Sequence, residues 1–226
     1  MATIGSRPSV DEIADALREN TGELAWDAKE ARLFIQILRH LTEGQPVSTK
    51  HLEQVASDLG LSEQDAHSAL SWISERNEAG DIVGLAGLSL NDWTHRFKVD
   101  GRTLSTWCAA DTLYLPQLLK RTATVESPDP QTKDLIRLTI GPEKIEQYTP
   151  ITAVISLIVP RTTLNERERA SAEQIWNAFC NYSHYFSSAE SAQEWFSTRK
   201  VEPIILSVEE GYQLMGIWLR NTIKYA

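Results

Sequence analysis

An Asp-Gly pair, Asp100-Gly101, stands between two runs of alternating residues, HRFKV before it and RTLSTW after it. Asp-Gly is the strongest short-range hairpin signal, because both central positions of the favoured two-residue turn need positive φ and that turn matches the twist of paired strands. The two runs are therefore expected to form an antiparallel hairpin. The next segment, CAADTLYLPQLLK, reads as a helix, with Pro116 bending it or opening a second short helix. Further strands are expected in TATVES, DLIRLTI, KIEQYT and TAVISLIV, which Pro and Gly turns separate. RTTLNERERASAEQIWNAF is charged at first and reads as a helix, and the aromatic-rich stretch from Phe179 to Phe186 reads as a strand. Ser187 and Glu190 cap a helix through Trp195 and Phe196, and another helix follows Ser207.

The part of the chain ahead of this sheet-rich region reads as helices. Ser9 and Glu12 form a capping box before Val10, Ile13 and Leu17. A second helix is expected from about Trp26 to Glu43, with Leu33, Phe34, Ile37, Leu38 and Leu41 in one stripe, stopped by Gly44 and Pro46. A third follows Ser48 and ends at Gly60. A fourth, EQDAHSALSWISERNE, is capped by Ser62 with Asp65 three residues on. After Gly80, DIVGLAGLSL reads as a short hairpin. Helices in this order followed by a hairpin suggest a winged helix-turn-helix. The expected fold is thus α+β: a winged-helix-like helical domain over 1–90, then a mixed α/β domain over 91–226 built on a mainly antiparallel sheet.

Charge limits what such a protein binds. The formal net charge is −9, and the fourth helix sets Glu63, Asp65, Glu75 and Glu78 against Arg76 alone. Phosphate would repel that face, so the winged-helix part is expected to be a scaffold and nucleic acid is not an expected partner. The most apolar run, AVISLIV, is too short to span a bilayer. The N-terminal twenty residues lack the apolar core of a secretory signal, and two cysteines cannot make a disulfide framework. The expected setting is cytoplasmic and reducing, away from membranes.

Phosphate-binding, dinucleotide-binding, zinc-protease, C-x-x-C and G-x-S-x-G signatures do not occur, and the five histidines are scattered. Two cysteines remain as candidates. Cys108 is expected in the first turn of the helix after the hairpin, where the helix terminus favours a thiolate. Asp111, at i+3, lies on the same face and close enough to exchange a proton with the sulfur. Cysteine is also among the most buried residue types and acids suit first turns, so a structural role fits the same spacing. Cys180, with His184 four residues on, admits both readings too.

The segment HRFKVDGRTLSTWCAADTLYLPQLLKRTATVESP resembles the core signature of the bacterial organomercurial (alkylmercury) lyases, in which a hairpin leads into a W-C-A-x-D-T-L helix and on to a V-E-S-P strand. AVISLIVP and AFCNYSHYF, followed by a capped helix bearing EWF, resemble that family's second active-site segment in the same order. The resemblance covers roughly Trp93 to Phe196, and the N-terminal third by architecture alone. It implies that 91–226 is a catalytic domain for protonolytic cleavage of carbon–mercury bonds, giving R–H and Hg(II), in mercury detoxification and resistance. By motif it assigns catalysis and metal ligation to Cys108, Asp111 and Cys180. Mercury is thiophilic, so thiolates can compete for it, and a carboxyl group can carry the proton the leaving carbon needs.

No cofactor is implied. Cellular thiols are expected to remove Hg(II) as co-substrates, and a mercuric reductase is an expected acceptor. Trp107 and Tyr182 are candidates to wall the organic group's pocket. The chain departs from the family pattern in carrying Asn181 directly after the later cysteine and Asp129 after the V-E-S-P strand, where many members have cysteines. Its 160–178 linker is also longer and more charged. The alternatives are a soft-metal-binding protein without bond cleavage, using Cys108 and Cys180 with His184 as a third ligand, a winged-helix regulator responding to metal or thiol state, and a cysteine hydrolase pairing Cys108 with His184.

Overall fold

The computed structural model describes residues 8–21, 26–159 and 172–223. Capping boxes set the first helices. In α1 (Val10–Thr21) the Glu12 carboxylate accepts the Ser9 N–H at 2.7 Å. In α2 (Ala28–Thr42) Asp27 and Glu30 cap each other's backbone. Ser48 and Ser62 cap α3 (Thr49–Asp58) and α4 (Glu63–Leu70). Each cap satisfies donors that a helix start would otherwise leave unpaired. The α2 stripe of Leu33, Phe34, Ile37, Leu38 and Leu41 is buried as its spacing predicts.

The fourth helix is shorter than the sequence suggests. It stops at Leu70, passes through one 3₁₀ turn, and gives way to a strand, β1 (Ser74–Arg76), which pairs with β2 (Ile82–Leu85). Glu75 on this strand accepts bonds from the Ser89 hydroxyl and the Asn91 amide, both at 2.7 Å. These partners exist only once the chain has turned back, so tertiary contacts override the helical propensity of SERNE.

β2 and β3 (Leu88–Ser89) form the hairpin expected in DIVGLAGLSL. β4 (His95–Val99) and β5 (Arg102–Thr106) form the second, turning at Asp100-Gly101 with φ of 49° and 78°. β6 (Ala123–Pro128), β7 (Leu135–Ile140) and β8 (Ile145–Thr149) complete an eight-stranded sheet in the order β1-β2-β3-β5-β4-β6-β7-β8. Every pairing in it is antiparallel. Position 90/91 falls between β3 and β4, within one continuous sheet.

α5 (Ala109–Leu119) follows β5 directly and is buried along its whole length, as suits a helix apolar on every side. Pro116 lies inside this single helix, which ends where Lys120 takes left-handed φ. A second, three-stranded sheet sets β9 (Val154–Leu157) between β10 (Tyr185–Phe186) and β11 (Ile204–Ser207). Only the end of the helix expected in 161–179 lies within the described residues, as α6 (Ala172–Ala178). The strand expected across Phe179 to Phe186 is instead a 3₁₀ turn at Cys180–Tyr182 followed by the two residues of β10. α7 (Ala189–Ser197) and α8 (Val208–Thr222) follow, and α8 packs against both α1 and α5.

Candidate active site

Cys108 is the N-cap residue of α5, with extended backbone (φ −151°, ψ 173°) as the sheet hands over to the helix. Its N–H donates to Asp111 Oδ2 at 2.9 Å, and its sulfur faces the Asp111 N–H in return. This is a capping box in which sulfur replaces the usual hydroxyl. The i+3 spacing therefore does more than share a helix face: it locks thiol and carboxyl together at the positive end of the helix dipole.

Cys180 reaches the same place through Ser183. The 3₁₀ turn brings the Ser183 carbonyl to the Ala109 N–H at 3.1 Å and its hydroxyl oxygen to the Ala110 N–H at 3.0 Å. Two donors at the start of α5 are thus occupied by the segment that carries Cys180. On the far side, the Ser156 hydroxyl of β9 donates to the Tyr182 carbonyl at 2.7 Å. Latched at both ends, the turn places Cys180 so that its sulfur, the Cys108 sulfur and an Asp111 oxygen all lie within 4.8 Å of one another. All three residues are buried, at 0%, 3% and 8% exposure for Cys108, Cys180 and Asp111. No other cluster of this kind occurs among the described residues.

The three groups ionise unequally. Burial opposes the Cys108 thiolate. Hydrogen bonds from Cys180, the Asp111 N–H, the Ser183 hydroxyl and the Asp111 carboxyl outweigh it and bring the thiol down to about 7. Cys180, spent as a donor to Cys108 and itself buried, is pushed well above the usual thiol range. Burial, then the neighbouring Cys108 charge, pushes the Asp111 carboxyl well above the usual carboxylate range. The site therefore pairs a sulfur eased toward its thiolate with a carboxyl group pushed toward its protonated form. An acid within reach of two soft ligands is the combination that protonolysis of a metal–carbon bond requires.

A family model described as alkylmercury lyase matches residues 88–220, more than half of the chain. The chain belongs to the alkylmercury lyase family. Among its relatives, the alkylmercury lyase of Staphylococcus epidermidis is 38% identical over 184 residues, covering 80% of this chain and 79% of that one. The alkylmercury lyase of Bacillus cereus is 32% identical over 210 residues, covering 92% and 90%. The crystal structure of the mercury-bound form of MerB2 shares the fold, with a TM-score of 0.72 at 22% identity over 95% of this chain and 98% of that one. The alkylmercury lyase match begins at Leu88, so the hairpin turn just ahead of β3 lies outside it.

The structure brings Cys108, Asp111 and Cys180 together. His184 turns elsewhere: its Nε2 lies 3.0 Å from the Asn181 carbonyl oxygen, and its ring packs on Trp195 and His95. Trp107 is buried beside Cys108, with its indole Nε1 lacking a hydrogen-bond partner. Tyr182 packs on the small cluster of Phe186, Ala192 and Phe196. Asp129, where many members carry a cysteine, is a buried hub. It accepts from the Ser187 N–H at 2.8 Å and the Ser191 hydroxyl at 2.7 Å, tying β6 to α7. Sequence reasoning missed Ser183 as a positioning group. Its one signal was a hydroxyl three residues after the second cysteine.

Proposed function

We propose that the protein is an organomercurial lyase, cleaving the carbon–mercury bond of R–Hg⁺ to give R–H and Hg(II). The observation that carries this reading is the buried triad of two sulfurs and one carboxyl group within 4.8 Å, in a chain of the alkylmercury lyase family. The Cys108 thiolate takes mercury first, forming a sulfur–mercury bond. Cys180 then binds mercury as well, its thiol proton passing to Asp111 as Asp111 gives up its own, so that two sulfurs share the metal. Ligation neutralises the charge on Cys108. That charge is one of the two main causes holding the Asp111 proton in place. Asp111 therefore becomes a stronger acid when mercury arrives, and protonates the leaving carbon as the carbon–mercury electron pair passes to it. Hydrogen joins carbon, mercury stays on the two sulfurs, and Asp111 is left carrying the proton that came from Cys180, which returns to sulfur when thiols exchange the metal away.

We assign Cys108, Asp111 and Cys180 as catalytic residues and Hg(II) ligands, and Trp107 as the wall nearest the organic group, with Tyr182 more remote. The reaction as read uses no cofactor, with cellular thiols as co-substrates and a mercuric reductase as the acceptor class. Residues 1–90 we read as a winged-helix-like scaffold to the catalytic part at 91–226. Among the described residues no helix is long and apolar enough to cross a membrane, which suits a cytoplasmic setting. The test is benzene release from a phenylmercury salt with excess thiol, followed by gas chromatography. Catalytic benzene is expected. Mercury held at the two cysteines without benzene would favour the binding-protein alternative.

A further inference from the structure

The turn between β2 and β3 is Ala86-Gly87, both with positive φ, at 45° and 85°. A hairpin turn of this type needs glycine-like backbone, yet conformation is only half of what Gly87 supplies. A Cβ built on Gly87 would come within 2.6 Å of Asp111 Oδ2, and closer still to Oδ1 and Cγ. The bare Cα of Gly87 is the surface against which the carboxyl group rests.

The turn is fastened by the residues it serves. The Trp107 N–H, one residue before Cys108, donates to the Gly87 carbonyl at 2.9 Å. The Tyr114 hydroxyl, one helical turn beyond Asp111, donates to the Ala86 carbonyl. The Ala86 N–H donates to the Ile73 carbonyl at 2.9 Å, tying the turn back to the end of the N-terminal helices. Carboxyl, thiol and turn thus form one closed unit, although Gly87 and Asp111 belong to separate hairpin and helix segments.

We infer that the Ala86-Gly87 turn is a positioning element for Asp111, with the missing side chain at Gly87 fixing where the carboxyl group lies beside the Cys108 sulfur. The catalytic consequence rests on the lyase reading above, while the geometric claim does not. The protein supplies its own control. Gly101 turns the other hairpin of the same sheet at φ 78°, with nothing within 4 Å of a built Cβ. Gly87→Ala and Gly101→Ala impose comparable backbone strain, and only the first collides with the carboxyl group.

The experiment compares these two variants with the parent protein in benzene release and in the thiolate absorbance of Cys108, titrated near 240 nm. With two cysteines in the chain, the lower of two transitions is that of Cys108. Gly87→Ala is expected to lower kcat about 10²-fold, the scale of a small misplacement of a reacting group. The loss should fall on kcat rather than KM, and the Cys108 midpoint should move upward as the hydrogen bonds from Asp111 weaken. Gly101→Ala is expected to keep the parent kcat and midpoint. A Gly87→Ala protein with parental kcat and midpoint overturns the inference, as does a Gly101→Ala protein that reproduces both losses. Should Gly87→Ala fail to fold, Tyr114→Phe frees the turn without adding an atom. An unmoved Cys108 midpoint there would equally overturn it. If the parent releases no benzene, the lyase reading fails, and the titrations still decide whether Gly87 positions Asp111.

Discussion

Asp111, in the first turn of α5, and Asp129, just after β6, are both buried carboxyl groups, and their surroundings drive them apart. Asp129 accepts from the Ser187 N–H and hydroxyl, the Ser191 hydroxyl, and the N–H groups of Gln131 and Thr132. Burial resists its charge, and these donors outweigh burial and hold it below the usual carboxylate range. Asp111 accepts one backbone N–H, from Cys108, and otherwise meets sulfur and the Gly87 backbone. Its carboxyl is held well above the usual range. Depth and donor supply together decide which carboxyl serves as a structural anion and which keeps a proton to give away: burial is the main force on Asp111, and a ring of donors outweighs it at Asp129.

The largest expected effect follows from removing the proton and keeping the shape. Asp111→Asn should cut benzene release by about 10²–10⁴-fold, the range of a general acid's contribution. Asp129→Asn, which touches no reacting atom, should leave the folded enzyme's kcat close to that of the parent. Equal losses of kcat in the two variants would erase the distinction.

Stability should respond the other way. Asp129→Asn replaces an acceptor of several donors with an amide that must turn its NH₂ toward some of them, at a cost of about 1.5–3 kcal/mol for a lost charge-assisted bond. Because the Asp129 carboxyl is depressed by folding, its contribution is fully present above the unfolded value near 3.8 and is lost as pH falls through the folded value. The gap in denaturant midpoint between parent and variant should therefore be open at pH 7 and close below about pH 4. A gap independent of pH would mean that Asp129 acts by packing alone.

Asp111 carries the opposite sign. Its carboxyl is raised by folding, so its favourable contribution exists below the unfolded value near 3.8 and is lost as pH rises toward the folded value. At neutral pH the parent protein bears that cost and Asp111→Asn does not. Each tenfold change in proton affinity corresponds to about 1.4 kcal/mol. The inactive variant should therefore melt higher than the parent at pH 7, with the difference vanishing toward pH 4. A variant less stable than its parent at pH 7 would show that the carboxyl is not held protonated.

Features made by neighbours along the chain were legible in the sequence: the capped helices (though α7 is capped by Ser188, not Ser187), the Asp100-Gly101 hairpin, and Cys108 with Asp111 at the start of α5. The proximity of Cys180 came only through resemblance, since no spacing rule joins residues 72 positions apart. Residues whose partners lie in other elements left little trace. Ser183 serves α5 from 73 positions away, β1 forms because β2 folds back on it, and Gly87 looks like any turn glycine until Asp111 is seen against it. Asp129 was visible as a departure from the family pattern, and its role became clear only with Ser187 and Ser191 in place.

The smallest expected effect tests how far the state of Asp111 depends on its neighbours. The Ser183 hydroxyl accepts the Ala110 N–H and also stabilises the Cys108 thiolate. Ser183→Ala should cost about 1 kcal/mol, as does loss of a helix N-cap side chain. It should also shift the Cys108 midpoint upward from about 7. With less negative charge on Cys108 at neutral pH, the Asp111 proton loses part of what holds it, and kcat should fall modestly with the thiolate fraction. The acid limb set by Asp129 should stay where it is, because among the described residues no hydrogen bond joins Ser183 to that carboxyl's partners. An unmoved Cys108 midpoint would reduce Ser183 to a backbone latch, whereas a shift in both the thiol midpoint and the acid limb would join the two carboxyl sites into one coupled network.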